Sequence, residues 1–187
     1  ESIMISYDKL KITLESLGFV FFDKGNYNCN LIFERTNDTF TNYMTDWLHL
    51  AFMVDGNKQV VSIKCSTKPG LIGSVLNPIT VNGVTGTAVI VSPQQIRKGF
   101  KFIDENSIEA QTDMFFNKVF NHCSYFQEAQ PFDYWRDFDK DTTLDKVQLQ
   151  QQQFFGTHTH KGGEPINNYS LGCCTFNAEE FRRLFQP

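Results

Sequence analysis

Residues 47–65 run Trp47-Leu-His-Leu-Ala-Phe-Met-Val-Asp-Gly-Asn-Lys-Gln-Val-Val-Ser-Ile-Lys-Cys65. The first half of this stretch is apolar and strand-like, and Asp55-Gly56-Asn57 is a turn sequence. Beyond the turn, Val61, Ile63 and Cys65 alternate with polar residues, as they do in a strand with one buried face. The pattern predicts a β-hairpin, which is the kind of element on which an antiparallel sheet is built.

Helices are predicted on both sides of this hairpin. Residues Ser6 to Leu17 have apolar side chains at three- and four-residue steps, with Ser6 as a cap and Gly18 as a stop. Residues 106–120 begin with a capping-box spacing, and residues 177–185 form a short capped amphipathic pattern. Two of the remaining apolar stretches, 19–22 and 87–91, are predicted strands, and the glutamine tract 148–153 is predicted as a loop or an edge strand. The sum is an α+β domain, mainly β, with a largely antiparallel core and a few flanking helices.

Composition limits the function classes that suit this chain. Its 187 residues fit one domain of ordinary size, and 41% apolar residues with 19 phenylalanines are enough for an aromatic-rich core. The net charge of −4 argues against a nucleic-acid partner, which needs a basic face. No apolar run is long enough to predict a transmembrane segment. The five cysteines lack a regular spacing and predict reduced thiols, and since the chain starts at Glu1 a preceding signal peptide stays open.

The stretch Phe154–Phe176 holds the residues best suited to chemistry. His158 and His160 alternate, so in a strand they point to the same side, and Cys173 follows Ser170 and Gly172 in a short turn. A cysteine near its ordinary pKa is mostly a thiol at neutral pH, and a neighbouring imidazole can activate it. Gly172 allows a sharp turn that presents backbone N–H groups to an oxyanion, and Ser170 could orient the imidazole or contact substrate.

Two other interpretations of this stretch remain open. A buried, inert cysteine beside a structural histidine is the first. A metal site made of His158, His160, Cys173 and Cys174 is the second, although adjacent cysteines seldom bind one ion. We therefore assign no metal and no other cofactor to the chain.

Other candidate residues lie outside this stretch. Arg136, beside Asp137, can form a structural ion pair or meet an anionic group of a substrate. Trp47 can line a substrate cleft or fill the core. The acidic segment from Asp137 to Gln148 has the carboxylate spacing of a calcium loop. It lacks the glycine and the final glutamate of such loops, so we expect a solvated acidic turn.

The order of these motifs resembles the catalytic domain of YkuD-type L,D-transpeptidases, in particular a phage and phage-like branch. The likeness rests on Gly156-Thr-His-Thr-His160-Lys-Gly-Gly followed by Ser170-Leu-Gly172-Cys173. It extends to Thr45-Asp46-Trp47, Ser66-Thr-Lys-Pro-Gly70, Gly86-Thr-Ala88 and Trp135-Arg136-Asp137. It covers the chain from about residue 28 to the C-terminus. We accordingly expect an L,D-transpeptidase-like (YkuD-like) catalytic domain over residues 28–187, with residues 1–27 as an N-terminal helix and strand packed on it.

The resemblance implies a cysteine peptidase or transpeptidase that acts on peptidoglycan stem peptides in the cell wall or periplasm. Cys173 would be the nucleophile of a thioester acyl-enzyme, His160 the base, Ser170 the motif hydroxyl and Gly172 part of the turn that presents oxyanion donors. His158, Arg136 and Trp47 are expected to contact substrate.

Leu171, Cys174 and Thr175 depart from the residues usual in that family. The alternative is therefore a catalytically degenerate binding or structural module on the same scaffold, such as a virion or secretion-system component.

Overall fold

The computed structural model describes residues 5–37, 42–71, 75–77, 80–81, 83–113, 122–137, 140–141, 147–153, 158–167, 170 and 173–185. Within these residues there are three helices and twelve strands. The helices are α1 (Tyr7–Ser16), α2 (Ile108–Thr112) and α3 (Ala178–Phe185). The strands are β1 (Asn30–Glu34), β2 (Asp46–Val54), β3 (Asn57–Ser66), β4 (Thr80–Val81), β5 (Val84–Thr85), β6 (Thr87–Ile90), β7 (Phe100–Ile103), β8 (Tyr125–Glu128), β9 (Phe132–Asp137), β10 (Val147–Gln153), β11 (His158–Lys161) and β12 (Cys174–Phe176).

The predicted hairpin is confirmed as the pair β2 and β3. The two strands pair antiparallel from Asp46 opposite Cys65 to Val54 opposite Asn57. Only Asp55 and Gly56 connect them, at φ of 47° and 79°. Both residues therefore lie in the left-handed region that a two-residue hairpin turn requires, where aspartate and glycine are among the preferred residues.

Seven strands form the main sheet, in the order β1-β2-β3-β12-β11-β8-β7. Every neighbouring pair is antiparallel except β11 and β12, which are parallel and lie near its centre. A second sheet has the order β10-β9-β6, and β4 pairs with β5. The prediction of a mainly β, α+β chain is thus confirmed, with a mixed main sheet where the sequence predicted a largely antiparallel one.

The main sheet is curled, so that its two edge strands, β1 and β7, approach each other. Phe33 of β1 and Phe100 of β7 have ring centroids 5.9 Å apart. The core fills the concave side and includes Leu48, Phe126 and Phe176. Helix α3 closes this core by stacking Phe181 on Phe176 at 3.7 Å, and Asn177 caps the helix by accepting a hydrogen bond from the N–H of Glu179.

Helix α1 packs on the other face of the hairpin. Tyr7 and Leu10 of the helix are buried with Phe21 and Ala51. Ser6 caps the helix by accepting a hydrogen bond from the N–H of Lys9, so the predicted first helix is confirmed.

The strand predicted at residues 19–22 is wrong. The side chain of Asn30 accepts a hydrogen bond from the backbone N–H of Phe22 and donates one to its C=O, so an amide side chain replaces a neighbouring strand there.

The remaining predictions differ from the structure in their bounds. Strand β6 confirms the strand expected at residues 87–91, and β10 shows that the glutamine tract is an edge strand. Helix α2 is capped by Ser107 instead of Asn106, because the Ser107 hydroxyl accepts a hydrogen bond from Ala110. Residues 114–120 of that predicted helix lie outside the described residues. Of the helices described, none has both the length and the apolar character that a membrane crossing requires.

Candidate active site

The parallel pair β11 and β12 brings the predicted catalytic residues together. Thr159 lies opposite Cys174, and His160 lies opposite Thr175. Paired residues point to the same side of a sheet and neighbours along a strand alternate. His158, His160, Cys173 and Thr175 therefore share one face, which we call the site face.

The chain between β11 and β12 is held from two sides. Its Ser170 C=O accepts a hydrogen bond of 2.9 Å from the N–H of Gly70. Gly70 passes so close to Asn167 that a Cβ added to it would lie 1.8 Å from the Asn167 carbonyl oxygen. Asn42 completes this clasp, because its side chain bonds the N–H of Leu71 and both the N–H and the side chain of Asn167.

As a residue Cys173 is partly exposed, and it lies directly before β12, whose first residue is Cys174. Its sulfur accepts a hydrogen bond of 3.4 Å from the backbone N–H of His158, and its C=O accepts one of 2.5 Å from the Ser170 hydroxyl. Burial of the sulfur raises the pKa of Cys173 to about 11; the His158 N–H opposes this rise and the nearby Glu128 adds to it. In the resting protein at neutral pH, Cys173 is therefore a thiol.

His160 is 2% exposed and neutral. Burial lowers its pKa to about 4, with a further lowering by His158 and against the opposing effect of its hydrogen bond to Lys161. That bond joins Nδ1 to the Lys161 carbonyl oxygen at 2.7 Å. Because a carbonyl oxygen can only accept, Nδ1 carries the proton and Nε2 carries the lone pair. This is the tautomer in which Nε2 can take a proton.

The thiol and the imidazole lie diagonally across the two strands. A strand separation of about 4.8 Å and a rise of about 3.3 Å per residue place the Cα atoms of His160 and Cys173 about 8 Å apart. Within the described part of the chain, the Cys173 sulfur takes its hydrogen bond from the His158 backbone and none from either imidazole. The His158 ring instead lies 5.5 Å from the ring of Tyr125. Gly172 lies outside the described residues, so the predicted oxyanion turn stays a prediction.

Thr175 adds a hydroxyl to the site face. It is fully buried, and Oγ1 has no hydrogen-bond partner among the residues described. Gly162 leaves the space for this side chain, since a Cβ at Gly162 would lie 2.7 Å from the Cβ of Thr175. The sequence marked position 175 as a departure from the family; the structure places a buried hydroxyl there, opposite the proposed base.

Trp47 lies in the same sheet as this cluster, whereas Arg136 lies in the second sheet. Thr175 lies opposite Ser66, and Trp47 lies opposite Lys64, so Trp47 is on the site face two strands from Cys173. The Lys64 ammonium sits 3.9 Å from the centre of the Trp47 ring. Arg136 belongs to the second sheet, is fully buried and donates a hydrogen bond to the Gly86 C=O. Its predicted contact with substrate stays a prediction.

A buried polar cluster that the sequence did not predict surrounds Asp46, close in sequence to the clasp residues Asn42 and Gly70. The fully buried Asp46 carboxylate accepts hydrogen bonds from the N–H and hydroxyl groups of both Thr36 and Thr67, and Lys68 lies 3.7 Å away. Burial alone would raise the pKa of Asp46, but these hydrogen bonds and Lys68 outweigh it and the pKa is lowered. Asp46, Thr67 and Lys68 belong to two motifs that the sequence analysis singled out, Thr45-Asp46-Trp47 and Ser66-Thr-Lys-Pro-Gly70. Only the fold shows that these motifs are in contact.

The described residues contain no group of three or more histidine, cysteine or acidic side chains arranged to hold a metal ion. Most of the acidic segment after Asp137 lies outside them.

Comparisons of this chain with protein-family models, with curated proteins and with solved structures find no match.

Proposed function

We propose that this chain is a cysteine-dependent enzyme that transfers or hydrolyses peptidoglycan stem peptides on a YkuD-like scaffold. One observation carries the proposal. A neutral imidazole whose Nε2 holds the lone pair shares a sheet face with Cys173, a partly exposed residue directly before the adjacent strand β12. The substrate class comes from the resemblance of the His160 and Cys173 motifs to L,D-transpeptidases.

The protonation states define how the reaction would start. A thiol with a raised pKa and an imidazole with a lowered pKa cannot form a resting ion pair at neutral pH. His160 would therefore act as a general base, taking the Cys173 proton as the sulfur attacks the substrate carbonyl carbon. The same proton would pass from His160 to the leaving amine as the C–N bond breaks, which leaves a thioester on Cys173. Water or an acceptor amine, deprotonated in turn by His160, would release the acyl group.

Purified muropeptides provide the test. Mass spectrometry of the wild-type reaction is expected to show fragments whose summed mass exceeds that of the muropeptide by one water, which indicates hydrolysis. Alternatively, it should show a peptide in which an acceptor amine has replaced the leaving group, which indicates transfer. Cys173→Ala should lower this rate at least about a thousandfold, because it removes the nucleophile. His160→Gln should lower it at least about a hundredfold by removing the base.

Cys29→Ala is the matched control and should keep full activity, since Cys29 is an exposed thiol remote in sequence from the cluster. A wild-type product profile identical to that of Cys173→Ala would contradict the proposal.

A second candidate function is a non-catalytic binding or structural module on the same scaffold. The absence of an activated thiolate at Cys173 in the protein without substrate favours it. The pKa of Cys173 is raised, and the hydrogen bond to its sulfur comes from a backbone N–H. This candidate predicts that wild type and Cys173→Ala co-sediment equally with isolated cell-wall sacculi and release no fragment. Release of fragments by wild type alone would eliminate it.

A further inference from the structure

A cavity of about 550 Å³ lies along β1, where the two edges of the curled sheet approach each other. Its volume falls within the range of about 300–1,000 Å³ found for small-molecule sites. Most of its lining is apolar. It comes from helix α1 and its C-cap, from the edge strands β1 and β7, from the segment between β6 and β7, and from β9, and it includes Leu14, Leu17, Leu31, Phe33, Phe100 and Phe132. Its lining includes Cys174 but not Cys173, His158 or His160, so this cavity is distinct from the candidate active site.

The charges that line the cavity have one sign. Arg35, Arg97 and Lys98 contribute to the wall, and no aspartate or glutamate does so among the described residues. The whole chain carries a net charge of −4, so this concentration of positive charge is not a consequence of composition. An apolar cavity with a cationic wall favours a ligand with a hydrocarbon body and an anionic group.

Arg35 is the cation best placed to receive that group. Its Nε donates to the Thr67 hydroxyl at 2.8 Å, and its two terminal nitrogens donate to the carbonyl oxygens of Ile90 at 2.8 Å and Thr67 at 3.2 Å. All three acceptors are uncharged, and they use three of the five N–H groups of a guanidinium. Asp46, which adds a favourable charge, is already bonded to Thr67 and paired with Lys68. The guanidinium is thus held rigidly with N–H groups to spare and no carboxylate of its own.

The apolar wall runs from this charge along β1. Leu31 and Phe33 alternate along β1 and point to the same side of the sheet, and Arg35 follows directly after the strand; all three line the cavity. The distance from Leu31 to Arg35 is about 13 Å at a rise of about 3.3 Å per residue, which suits an extended alkyl chain of medium length. Leu14 and Leu17 lie beyond, and Leu17 is 53% exposed at the outer part of the wall.

We propose that this cavity binds an anionic amphiphile of the fatty-acid class, with its carboxylate on Arg35 and its hydrocarbon tail along Leu31 and Phe33. The full chain would then carry two sites, one on each side of the sheet. Binding here does not depend on the proposed chemistry at Cys173.

The test measures binding of dodecanoate, below its micelle concentration, by calorimetry and by displacement of a fluorescent fatty acid. Wild type should bind dodecanoate saturably and at least about tenfold more tightly than dodecanol, because a hydrogen bond to a charged group adds that much. Arg35→Gln should remove this preference and leave dodecanol binding unchanged. Equal affinity of wild type for dodecanoate and dodecanol, or no saturable binding of dodecanoate, would overturn the proposal.

A second pair of variants keeps the proposal testable if Arg35→Gln fails to fold. Leu17 is exposed, so both Leu17→Glu and Leu17→Lys should fold. Leu17→Glu should weaken dodecanoate binding severalfold relative to Leu17→Lys, and identical affinities would contradict the charge selection. Cys173→Ala should bind dodecanoate as wild type does, which separates the outcome from that of the muropeptide experiment.

Discussion

His160 and Cys173 are both uncharged in the folded protein at neutral pH, and burial is the first cause in each case. A histidine–cysteine ion pair would instead require an open, polar environment that lowers the pKa of the thiol. The reactivity of Cys173 therefore depends on changes that a bound substrate causes around the thiol and the imidazole. In the protein without substrate, we expect the thiol to react slowly with electrophiles.

Alkylation of Cys173 tests this at the scale of one residue. At pH 7 we expect iodoacetamide to modify Cys173 at least about tenfold more slowly than it modifies free glutathione. The thiolate fraction falls tenfold for each unit of pKa, and the higher nucleophilicity of a more basic thiolate offsets only part of this loss. The rate should continue to rise with pH up to about 11. Mass spectrometry with peptide fragmentation is needed to separate Cys173 from the other four thiols, because the adjacent Cys174 lies on the same peptide.

Cys29→Ser removes the exposed thiol and serves as the control for overall reagent consumption. Labelling of Cys173 at pH 7 as fast as that of glutathione would show that its sulfur is not buried as described.

Some residues of the cluster were predictable from the sequence, and their state was not. The alternation of His158 and His160 follows from spacing alone, and Cys173 could be singled out as a candidate from its motif. The tautomer of His160 depends on the Lys161 carbonyl, and its neutral state depends on burial, neither of which spacing specifies. His49 shows the same limit. Alone in the sequence, it is bonded in the fold to Ser62 on one side and Glu34 on the other, through strand register.

At the scale of elements, the clasp around Asn42 positions the chain between β11 and β12. Asn42→Gly should lower the free energy of unfolding by about 2–4 kcal/mol, because three side-chain hydrogen bonds at about 0.5–1.5 kcal/mol each are lost. Glycine is the appropriate replacement, since Asn42 has a φ of 59° that a larger side chain would strain. Urea denaturation followed by circular dichroism measures the change.

Asn26→Gly is the control for the added flexibility of glycine, as Asn26 is exposed and bonds only Asp55 among the described residues. A loss no larger for Asn42→Gly than for Asn26→Gly would contradict a structural role for the clasp.

The predictability of each element follows from how local its causes are. The hairpin β2–β3 and helix α1 were predictable because alternation, turn residues and a serine cap lie within the elements themselves. The parallel pairing of β11 with β12 was not, since β12 is three residues long and its neighbours come from distant parts of the chain. The apolar run 19–22 has strand-like composition, but the side chain of Asn30 occupies the position of a partner strand.

For the whole molecule, buried neutral groups predict a stability optimum between pH values of about 6.5 and 8.5. His160 has a folded pKa of about 4, so the unfolded chain binds a proton first as the pH falls, and stability is lost from about 6.5 towards 4. Burial raises the pKa of Cys174 to about 12, so the unfolded chain releases a proton first, and stability is lost as the pH rises above about 8.5. At 1.36 kcal/mol per unit, the loss approaches about 3 kcal/mol on the acid side and about 4–5 kcal/mol on the alkaline side. Thermal unfolding across pH measures both limbs.

Two variants should flatten one limb each. His160→Gln removes the titrating ring and should reduce the acid-side slope, whereas Cys174→Ala should reduce the alkaline slope. His122→Asn, at an exposed histidine, is the control for the loss of an imidazole. Unchanged slopes in the first two variants would show that other groups determine the pH dependence.

The position of β12 has a consequence for synthesis. Of the described strands it is the last to leave the ribosome, yet it occupies the middle of the sheet, between β3 and β11. The two groups of strands on either side of it cannot join until residues 174–176 have emerged. A partly translated chain therefore contains His158 and His160 but not yet Cys173. Any reaction that needs both the imidazole and the thiol can begin only after β12 has been translated.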